Sequence, residues 1–362
     1  MAALDISPVL KFMVEKNASD LFFSTGAPIN IEIEGIAMPI NSQIMPPGMV
    51  KEIAYSLMNE ALIREFEETL EVNFAHSVSD LGRFRINAFL QRGEVSMVVR
   101  HIKSAIPSLE ELGLPMLLKE VSVRPRGLVL VVGSTSSGKS TTLAAMINYR
   151  NENKTGHILT LEDPIEFIHN HKKSVVDQRE VGIDTKSFEN GLRNAMRQSP
   201  DAILIGEIRD MDTMRHAIAY AETGHLCLAT LHANNATQAI ERILTFCPPD
   251  MKQSILLSLA LNLAGIMSQR LIPGTQAKRV LAMEVMLNNH YVSDMLMKGK
   301  LEELKQVLSS SNDIGMCTFD QSLFQLFQEG KIDEENAVYY ADSRNDVSLK
   351  IRLAREGART AD

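Results

Sequence analysis

The chain has 362 residues, of which 45% are hydrophobic and 23% charged, values typical of a globular protein long enough for two domains. Its formal net charge of −8 argues against an obligate nucleic-acid binder, which needs a basic face to neutralise phosphates. The three cysteines lack C-x-x-C spacing, so neither a disulfide framework nor a zinc ribbon is indicated.

The N-terminal part of the chain shows the pattern of a small α/β domain. Its first residues carry no basic segment followed by an apolar core, so we expect no export signal and a cytoplasmic protein. The longest apolar run is interrupted and short, so we expect no direct membrane insertion. A helix, short strands, two helices and further strands predict a domain over 1–103 with a mostly antiparallel sheet. A segment with Pro and Gly, 104–118, is the expected linker.

From residue 126 onward, strand and helix signals alternate, which predicts a mostly parallel sheet with helices on both faces. Residues 251–269 and 290–341 look predominantly helical, so we expect a second domain over 119–342 with a helical C-terminal part. The charged tail, 343–362, is predicted to be flexible. The expected strands are 128–132, 157–162, 202–206 and 226–231, and the expected helices are 139–150, 187–198, 212–222 and 236–246.

One stretch has a specific chemical meaning, because an apolar strand leads directly into a G-x-x-x-x-G-K-[ST] phosphate loop. The two glycines allow a tight turn whose N–H groups point at phosphate oxygens, and the following helix adds its positive N-terminal end. Lys139 is expected to reach the β- and γ-phosphates, and Ser140 to hold Mg²⁺. A Gly/Ser-rich loop without a ligand is the alternative. The predicted ATP-binding residues are Gly133, Ser134, Thr135, Ser136, Ser137, Gly138, Lys139, Ser140 and Thr141.

Acidic residues end two later strands of the predicted parallel sheet. Glu162 and Asp163 follow one apolar strand, and Glu207 follows another. Open α/β sheets bind ligands at the carboxyl ends of their strands, where a phosphate-loop enzyme needs one carboxylate to hold Mg²⁺ through water and another to activate the attacking water. A lone residue of this kind is usually a solvated strand end, whereas two clusters after a phosphate loop favour function.

Histidines occur at three places of interest. His232 ends a third apolar strand, where it could report the γ-phosphate by a hydrogen bond; simple packing is the alternative. His225 follows Gly224, a predicted helix C-cap, and the residues alone leave its role open. The tripeptide His169-Asn170-His171 is interpreted as a surface loop, because three residues without further ligands rarely make a metal site.

Together these motifs resemble the type IV pilus retraction ATPases of the PilT/PilU group, within the type II/IV secretion ATPase superfamily. The resemblance runs almost end to end, and it implies a PAS-like N-terminal domain and a RecA-like ATPase domain that assemble into a homo-hexameric ring. It rests on the phosphate loop and on the stretches 83–89, 125–130, 161–166, 178–181, 206–210, 222–225 and 230–232.

The resemblance also implies roles for acidic residues. Glu162, with Asp163 and Glu166, corresponds to the family's Asp box, in which Glu162 is expected to activate the attacking water and Asp163 and Glu166 to contribute to nucleotide binding. Glu207 corresponds to the Walker B acid, which is expected to hold Mg²⁺ through water.

Basic residues receive roles in the same way. His225 and His232 correspond to the family's His box, and from this resemblance we expect His225 to contribute to nucleotide binding and His232 to take part in catalysis. The charge that develops on the γ-phosphate is best stabilised by an arginine that arrives when the site closes. In this family such arginines come from the N-terminal domain, and Arg85 and Arg100 are the expected ones, with Arg83 behind them. Solvated arginines on an exposed strand are the alternative.

The stretch 283–294 lacks the Ala-Ile-Arg-type motif of PilT-like motors, and the tail is longer; both features resemble the PilU branch, which assists retraction. The expected function is therefore an accessory ATPase that acts with a PilT-like motor and a PilC-like platform protein, peripheral to the inner membrane at the pilus base. The alternatives are the principal PilT-like motor, a nucleic-acid translocase and a nucleotide-independent scaffold. Extension and type II secretion ATPases usually carry a four-cysteine zinc module that this chain lacks.

Overall fold

Two β-sheets organise the chain, each in its own unit. The computed structural model describes residues 5–102, 105–277, 279–310 and 315–359. Its contacts separate a smaller unit, Met1–Ala105 with Glu166–Ile168, from a larger unit, Ile106–Ile165 with His169–Asp362. The α/β fold class expected from the sequence is confirmed. Within the described ranges, no helix combines the length and the apolar composition needed to cross a bilayer.

The smaller unit is built on a sheet whose neighbouring strands are all antiparallel, in the order β3-β2-β1-β6-β5-β4. Alternate residues of its fifth strand, Phe84, Ile86 and Ala88, are buried in the unit's core, whereas Arg83 and Arg85 lie on the opposite face. In chain order the elements are α1 (Ser7–Glu15), β1 (Asp20–Phe23), β2 (Pro28–Ile33), β3 (Ile36–Ile44), α2 (Met49–Leu57), α3 (Glu60–Thr69), β4 (Glu71–Val78), β5 (Gly82–Gln91) and β6 (Glu94–Ile102).

The larger unit is built on a mostly parallel sheet with apolar clusters on both faces. Leu128, Leu130 and Val132 lie in one cluster, and Val129 and Val131 lie in the other. In chain order the elements are α4 (Leu117–Ser122), β7 (Gly127–Gly133), α5 (Lys139–Asn153), β8 (Gly156–Glu162), β9 (Ser174–Glu180), α6 (Phe188–Ala195), β10 (Ala202–Ile205), α7 (Met211–Glu222), β11 (Leu226–Leu231), α8 (Ala236–Phe246), α9 (Lys252–Asn262), β12 (Leu263–Pro273), β13 (Arg279–Leu287), α10 (His290–Lys298), α11 (Leu304–Ser310), α12 (Phe319–Gln328), α13 (Glu334–Tyr339) and α14 (Arg344–Arg359).

The strand order in this sheet is β13-β12-β7-β11-β10-β8-β9. Among the described strands of this sheet, only β12 and β13 form an antiparallel pair, and the other neighbouring strands are parallel. Every residue of β7, β10 and β11 is buried, as expected for parallel strands covered by helices on both faces. The alternation of strands and helices in the sequence therefore predicted the parallel strands β7, β8, β10 and β11 of this sheet, whereas β9, β12 and β13 were not among the expected strands.

The helical prediction for 251–269 is correct only as far as Asn262. Residues Leu263–Pro273 form β12, which pairs in parallel with β7 and antiparallel with β13. The apolar run continues from α9 into β12 without a turn signal, so its periodicity does not distinguish a helix from a buried strand. Pairing with β7 decides the conformation.

Part of the predicted linker, 104–118, belongs to the larger unit. Within the described residues of this segment, Leu109 and Leu114 are buried against the same core cluster as α5. Proline and glycine mark turns in this stretch, but they do not show whether the turns are packed. The leucines between them are the signal that indicates packing.

The prediction of a flexible tail over 343–362 is wrong for the described residues, because they form α14. Val347 and Ile351, one helical turn apart, are fully buried beside Phe319 and Leu323 of α12. In the sequence these two buried residues stand among many charged ones. The apolar periodicity of α14 is therefore a weak signal.

We expect Ile351→Ala to lower the free energy of unfolding by about 2–5 kcal/mol, because it leaves a cavity in the core formed by α12, α13 and α14. Leu353→Ala is the matched control, since Leu353 lies on the same helix with 56% of its surface exposed. That control should change stability by less than about 0.5 kcal/mol in urea denaturation. Equal, small effects of both substitutions would show that α14 does not pack as described.

Candidate active site

The carboxyl ends of four neighbouring parallel strands, β7, β8, β10 and β11, meet at one edge of the larger sheet, which we call the carboxyl edge. The register pairs Leu231 with Val132, Ala229 with Ile205, and Ile205 with Leu161. The residues that follow these strands are therefore neighbours in space. They are the phosphate loop, Glu162 with Asp163, Glu207, and His232.

The phosphate loop depends on its two glycines for different reasons. A side chain at Gly133 would meet Ser137 Oγ and would come within 2.7 Å of the carbonyl oxygen of Gln269. Gly138 precedes the first residue of α5 with φ +89°, a left-handed conformation that favours glycine. The first glycine thus lets the loop pass close to β12, and the second lets the chain turn into the helix.

The interior of the loop fits a phosphate group. The Lys139 ammonium is buried and donates to the carbonyl oxygens of Gly133 and Ser134, at 2.9 and 2.8 Å. Ser137 Oγ is buried and has no hydrogen-bond partner in the described part of the chain. A phosphate oxygen would satisfy this hydroxyl, whose burial without a partner is otherwise unfavourable.

The remaining loop residues surround this interior. Ser134, Thr135 and Ser136 are exposed, whereas Ser140 and Thr141 are half-buried in the first turn of α5. The hydroxyl of Ser140 therefore belongs to the helix N-terminus, where the helix dipole favours an anion. This is the arrangement that the phosphate-loop motif predicts.

Two buried polar residues behind the loop were missed in the sequence. Gln269 Nε2 donates to Thr142 Oγ1 at 2.7 Å, next to the phosphate loop. Glu284 accepts from the amide of Ala236 at 2.7 Å and from Ser268 Oγ at 3.1 Å, and its burial raises its pKa. The available signals were a glutamine and a glutamate within apolar strands. The residues that these two side chains contact are distant in the sequence, so the signals did not reveal the contacts.

Glu207 lies between two basic side chains at the carboxyl edge. Its Oε1 is 3.0 Å from His232 Nε2, and its Oε2 accepts from Arg209 Nε at 2.6 Å. The same guanidinium donates from Nη1 to Asp163 Oδ2 at 3.2 Å. Hydrogen bonding to Glu207, with the charge of Asp163, raises the pKa of Arg209. Arg209 thus links two acidic motifs, a role that the sequence analysis did not assign to it.

Two neighbouring strands of the sheet, β8 and β9, donate hydrogen bonds to the Glu162 carboxylate. Its Oε1 accepts from Thr160 Oγ1 at 2.7 Å and from Gln178 Nε2 at 3.2 Å. The amide of Gly206 donates to the carbonyl of Leu161 at 2.7 Å, and a side chain at Gly206 would come within 3.1 Å of the Glu162 Cα. Gly206 therefore allows the two acidic strand ends to approach each other closely.

His225 is not brought to the carboxyl edge, contrary to the prediction that it binds the nucleotide with His232. It precedes the first residue of β11, and its carbonyl accepts from the amide of Gly127, the first residue of β7. Its Nδ1 lies 3.1 Å from Thr223 Oγ1. Since His225 and His232 flank the two ends of β11, they are separated by about 23 Å along the strand.

The predicted arginines lie on β5 and β6 of the smaller unit. Arg85 and Arg100 are directly opposite each other across these strands, and Arg100 Nε donates to the buried Asp20 carboxylate at 2.8 Å. Arg83 Nε is buried without a hydrogen-bond partner among the described residues. Glu166 belongs to the short segment Glu166–Ile168, which is part of this smaller unit.

The tripeptide His169-Asn170-His171 is not wholly a surface loop, because His169 is buried. Burial lowers the pKa of His169 to about 4, so the imidazole is neutral near pH 7. His171 Nδ1 accepts from the amide of Val176 at 3.0 Å. In the described ranges no group of His, Cys, Asp and Glu side chains is arranged to hold a metal ion by itself.

Comparison with known proteins agrees with this site. The model of the type II/IV secretion system protein family matches residues 3–313. The type IV pilus ATPase PilU of Pseudomonas aeruginosa is 50% identical over 354 residues, which cover 98% of this chain and 93% of that protein. The type IV pilus retraction ATPase PilT of the same organism is 42% identical over 334 residues, 92% of this chain and 97% of that protein.

The fold agrees as well. The crystal structure of the pilus retraction motor PilT with bound ADP is similar with a TM-score of 0.88 and 40% identity, covering 94% of this chain and 98% of that one. The chain is therefore an ATPase of the type II/IV secretion system protein family, and within it a member of the PilT/PilU group of type IV pilus retraction ATPases.

Proposed function

We propose that this chain is an accessory motor of type IV pilus retraction, which hydrolyses ATP and acts with a PilT-like ATPase to depolymerise pilin. The observation that carries the proposal is the convergence of the phosphate loop, Glu162, Glu207 and His232 at the carboxyl edge. The accessory role is supported by the greater identity to PilU, 50%, than to PilT, 42%, over nearly the whole chain. It is also supported by the stretch 283–294, which lacks the Ala-Ile-Arg-type motif.

Nucleotide binding follows from the phosphate loop. Lys139 and the hydroxyl of Ser137 bind phosphate oxygens together with the backbone amides of the loop. Ser140 and Glu207 fit Mg²⁺, because a hydroxyl and a carboxylate are oxygen ligands, the second one acting through water. The ion supplies positive charge that stabilises the phosphate oxygens during hydrolysis.

Hydrolysis requires a base beside the γ-phosphate, and Glu162 is the proposed one. A carboxylate that accepts hydrogen bonds keeps a fixed direction, which a general base needs. Arg209, which also donates to Asp163, holds Glu207 beside the proposed base. His232, in contact with Glu207, is placed to report the γ-phosphate.

Arginines of the smaller unit complete the proposed site. Arg85 and Arg100 occupy directly opposed positions, and since Asp20 compensates only one positive charge of this pair, an anion would stabilise the arrangement. We propose that they reach the γ-phosphate when the site closes, with Arg83 behind them. Closure within a homo-hexamer then couples hydrolysis to relative movement of the two units. The movement is passed to a PilC-like platform protein on the cytoplasmic side of the inner membrane.

The accessory role is tested by measuring pilus retraction and twitching in strains that lack this gene, the gene for the PilT-like ATPase, or both. We expect loss of this chain to weaken retraction while some remains, and loss of the PilT-like ATPase to abolish it. Re-expression of this chain alone in the double deletion should not restore retraction. Full retraction by this chain alone would identify it as the principal motor instead.

The arginine role is tested by mixing Arg85→Ala subunits with wild-type subunits at increasing ratios and measuring ATP turnover. If Arg85 acts across subunits, activity should fall more steeply than the wild-type fraction, because one altered subunit impairs a neighbour's site. Arg64→Ala is the matched control, since Arg64 is an exposed arginine on α3 of the same unit. A loss strictly proportional to dilution would contradict the proposed geometry.

A further inference from the structure

We propose that Gln178, on the edge strand β9, is a positioning residue that orients the carboxylate of Glu162 through the hydrogen bond between them. The inference deepens the proposed function, because it rests on Glu162 acting as the base. The stretch 178–181 belongs to the family resemblance, but the resemblance assigns no role to the Gln178 side chain.

The register of β8 and β9 places the three side chains together. Thr160 and Gln178 are paired across the two parallel strands, and Glu162 follows Thr160 by two residues, so all three side chains lie on the same face of the sheet. Thr160 Oγ1 and Gln178 Nε2 both donate to Glu162 Oε1, at 2.7 and 3.2 Å. Two donors from different strands converge on one oxygen, which fixes the rotation of the carboxylate about its terminal bond.

The orientation of the Gln178 amide is itself determined. Its Oε1 accepts from the backbone amide of His169 at 2.7 Å. A backbone N–H can only donate, so it must face the carbonyl oxygen of the side chain and not the NH₂ group. The NH₂ group is consequently directed to Glu162. A glutamine that bridges a donor and an acceptor in this way cannot be replaced by a side chain with only one of the two functions.

The alternative is that Gln178 only ties β9 to the rest of the sheet. The two roles differ in which kinetic quantity they affect. A misdirected base slows the chemical step, and displacements of about 1 Å can cost on the order of 100-fold in rate. Nucleotide binding by the phosphate loop would remain, because the two groups that Gln178 bridges, the His169 amide and the Glu162 carboxylate, lie outside that loop.

The test replaces Gln178 by methionine, which keeps the length of the side chain and removes both hydrogen-bonding groups. We expect kcat for phosphate release by the assembled protein to fall by about tenfold or more, while the Kd of a fluorescent ATP analogue changes less than about twofold. Val175→Thr is the matched control, since Val175 is exposed on the same strand. It should leave both quantities unchanged.

A second pair of variants probes the other donor to the same oxygen. Thr160→Val removes the hydroxyl but keeps the branched shape of this buried residue, and should lower kcat as Gln178→Met does. Thr160→Ser keeps the hydroxyl and should retain most of the activity. Equal activity of the valine and serine variants would contradict the proposed hold on Glu162.

A double variant then separates a role through Glu162 from a structural role. In the Glu162→Gln background, adding Gln178→Met should cause no further loss, because the group that it orients is gone. If Gln178→Met alone keeps the wild-type kcat, or if the two losses multiply in the double variant, the positioning role is overturned and the proposed base is left intact. Wild-type turnover by Glu162→Gln would instead overturn the assignment of the base, and the inference with it.

Discussion

The parallel, in-register pairing of β7, β11, β10 and β8 is the constraint on which the site depends. Parallel strands end on the same side, so chain segments that are distant in sequence meet at one carboxyl edge. Strands β7, β10 and β11 are buried throughout, and alternate residues of β7 pack into two different apolar clusters, so a shift of register would disrupt the packing on both faces. Gly133 and Gly206 then permit close approaches at this edge that a larger residue would prevent.

The strands set the positions of the charged residues at the carboxyl edge, and ion pairs and hydrogen bonds orient their side chains. Arg209 neutralises two carboxylates, Asp163 and Glu207, that would otherwise repel each other at the end of the sheet. These groups are partly exposed, so each ion pair by itself contributes little to stability. Their importance is geometric, because the guanidinium and His232 hold Glu207 from two sides. The same principle applies to Glu162, which is held by hydrogen bonds from two strands.

Local patterns were sufficient to predict the parts of the site that depend on consecutive residues. The phosphate loop and the acidic strand ends follow from spacing and from the alternation of strands and helices, and the structure places them together. His225 was misplaced because a motif match does not show at which end of a strand a residue lies. The roles of Arg209 and Gln178 were missed because the carboxylates of Asp163 and Glu162 that they contact are distant in the sequence, and such contacts are set by the tertiary structure.

The same limit explains the errors in the fold. Strand β12 follows a helix within one apolar run, and only its pairing with β7 makes it a strand. Helix α14 carries few apolar residues, and it is stabilised by packing against the buried residues of α12. In both places the local sequence allows two structures, and contacts with distant elements select one of them.

The most direct test is phosphate release by the purified, assembled protein, measured alone and beside a PilT-like ATPase, with Lys139→Ala as the reference. We expect Mg²⁺-dependent ATP turnover by the wild type, and a loss of at least about 100-fold when the lysine inside the phosphate loop is removed. Equal turnover by the two proteins, or none by the wild type under both conditions, would contradict the claim that the carboxyl edge is where this chain hydrolyses ATP.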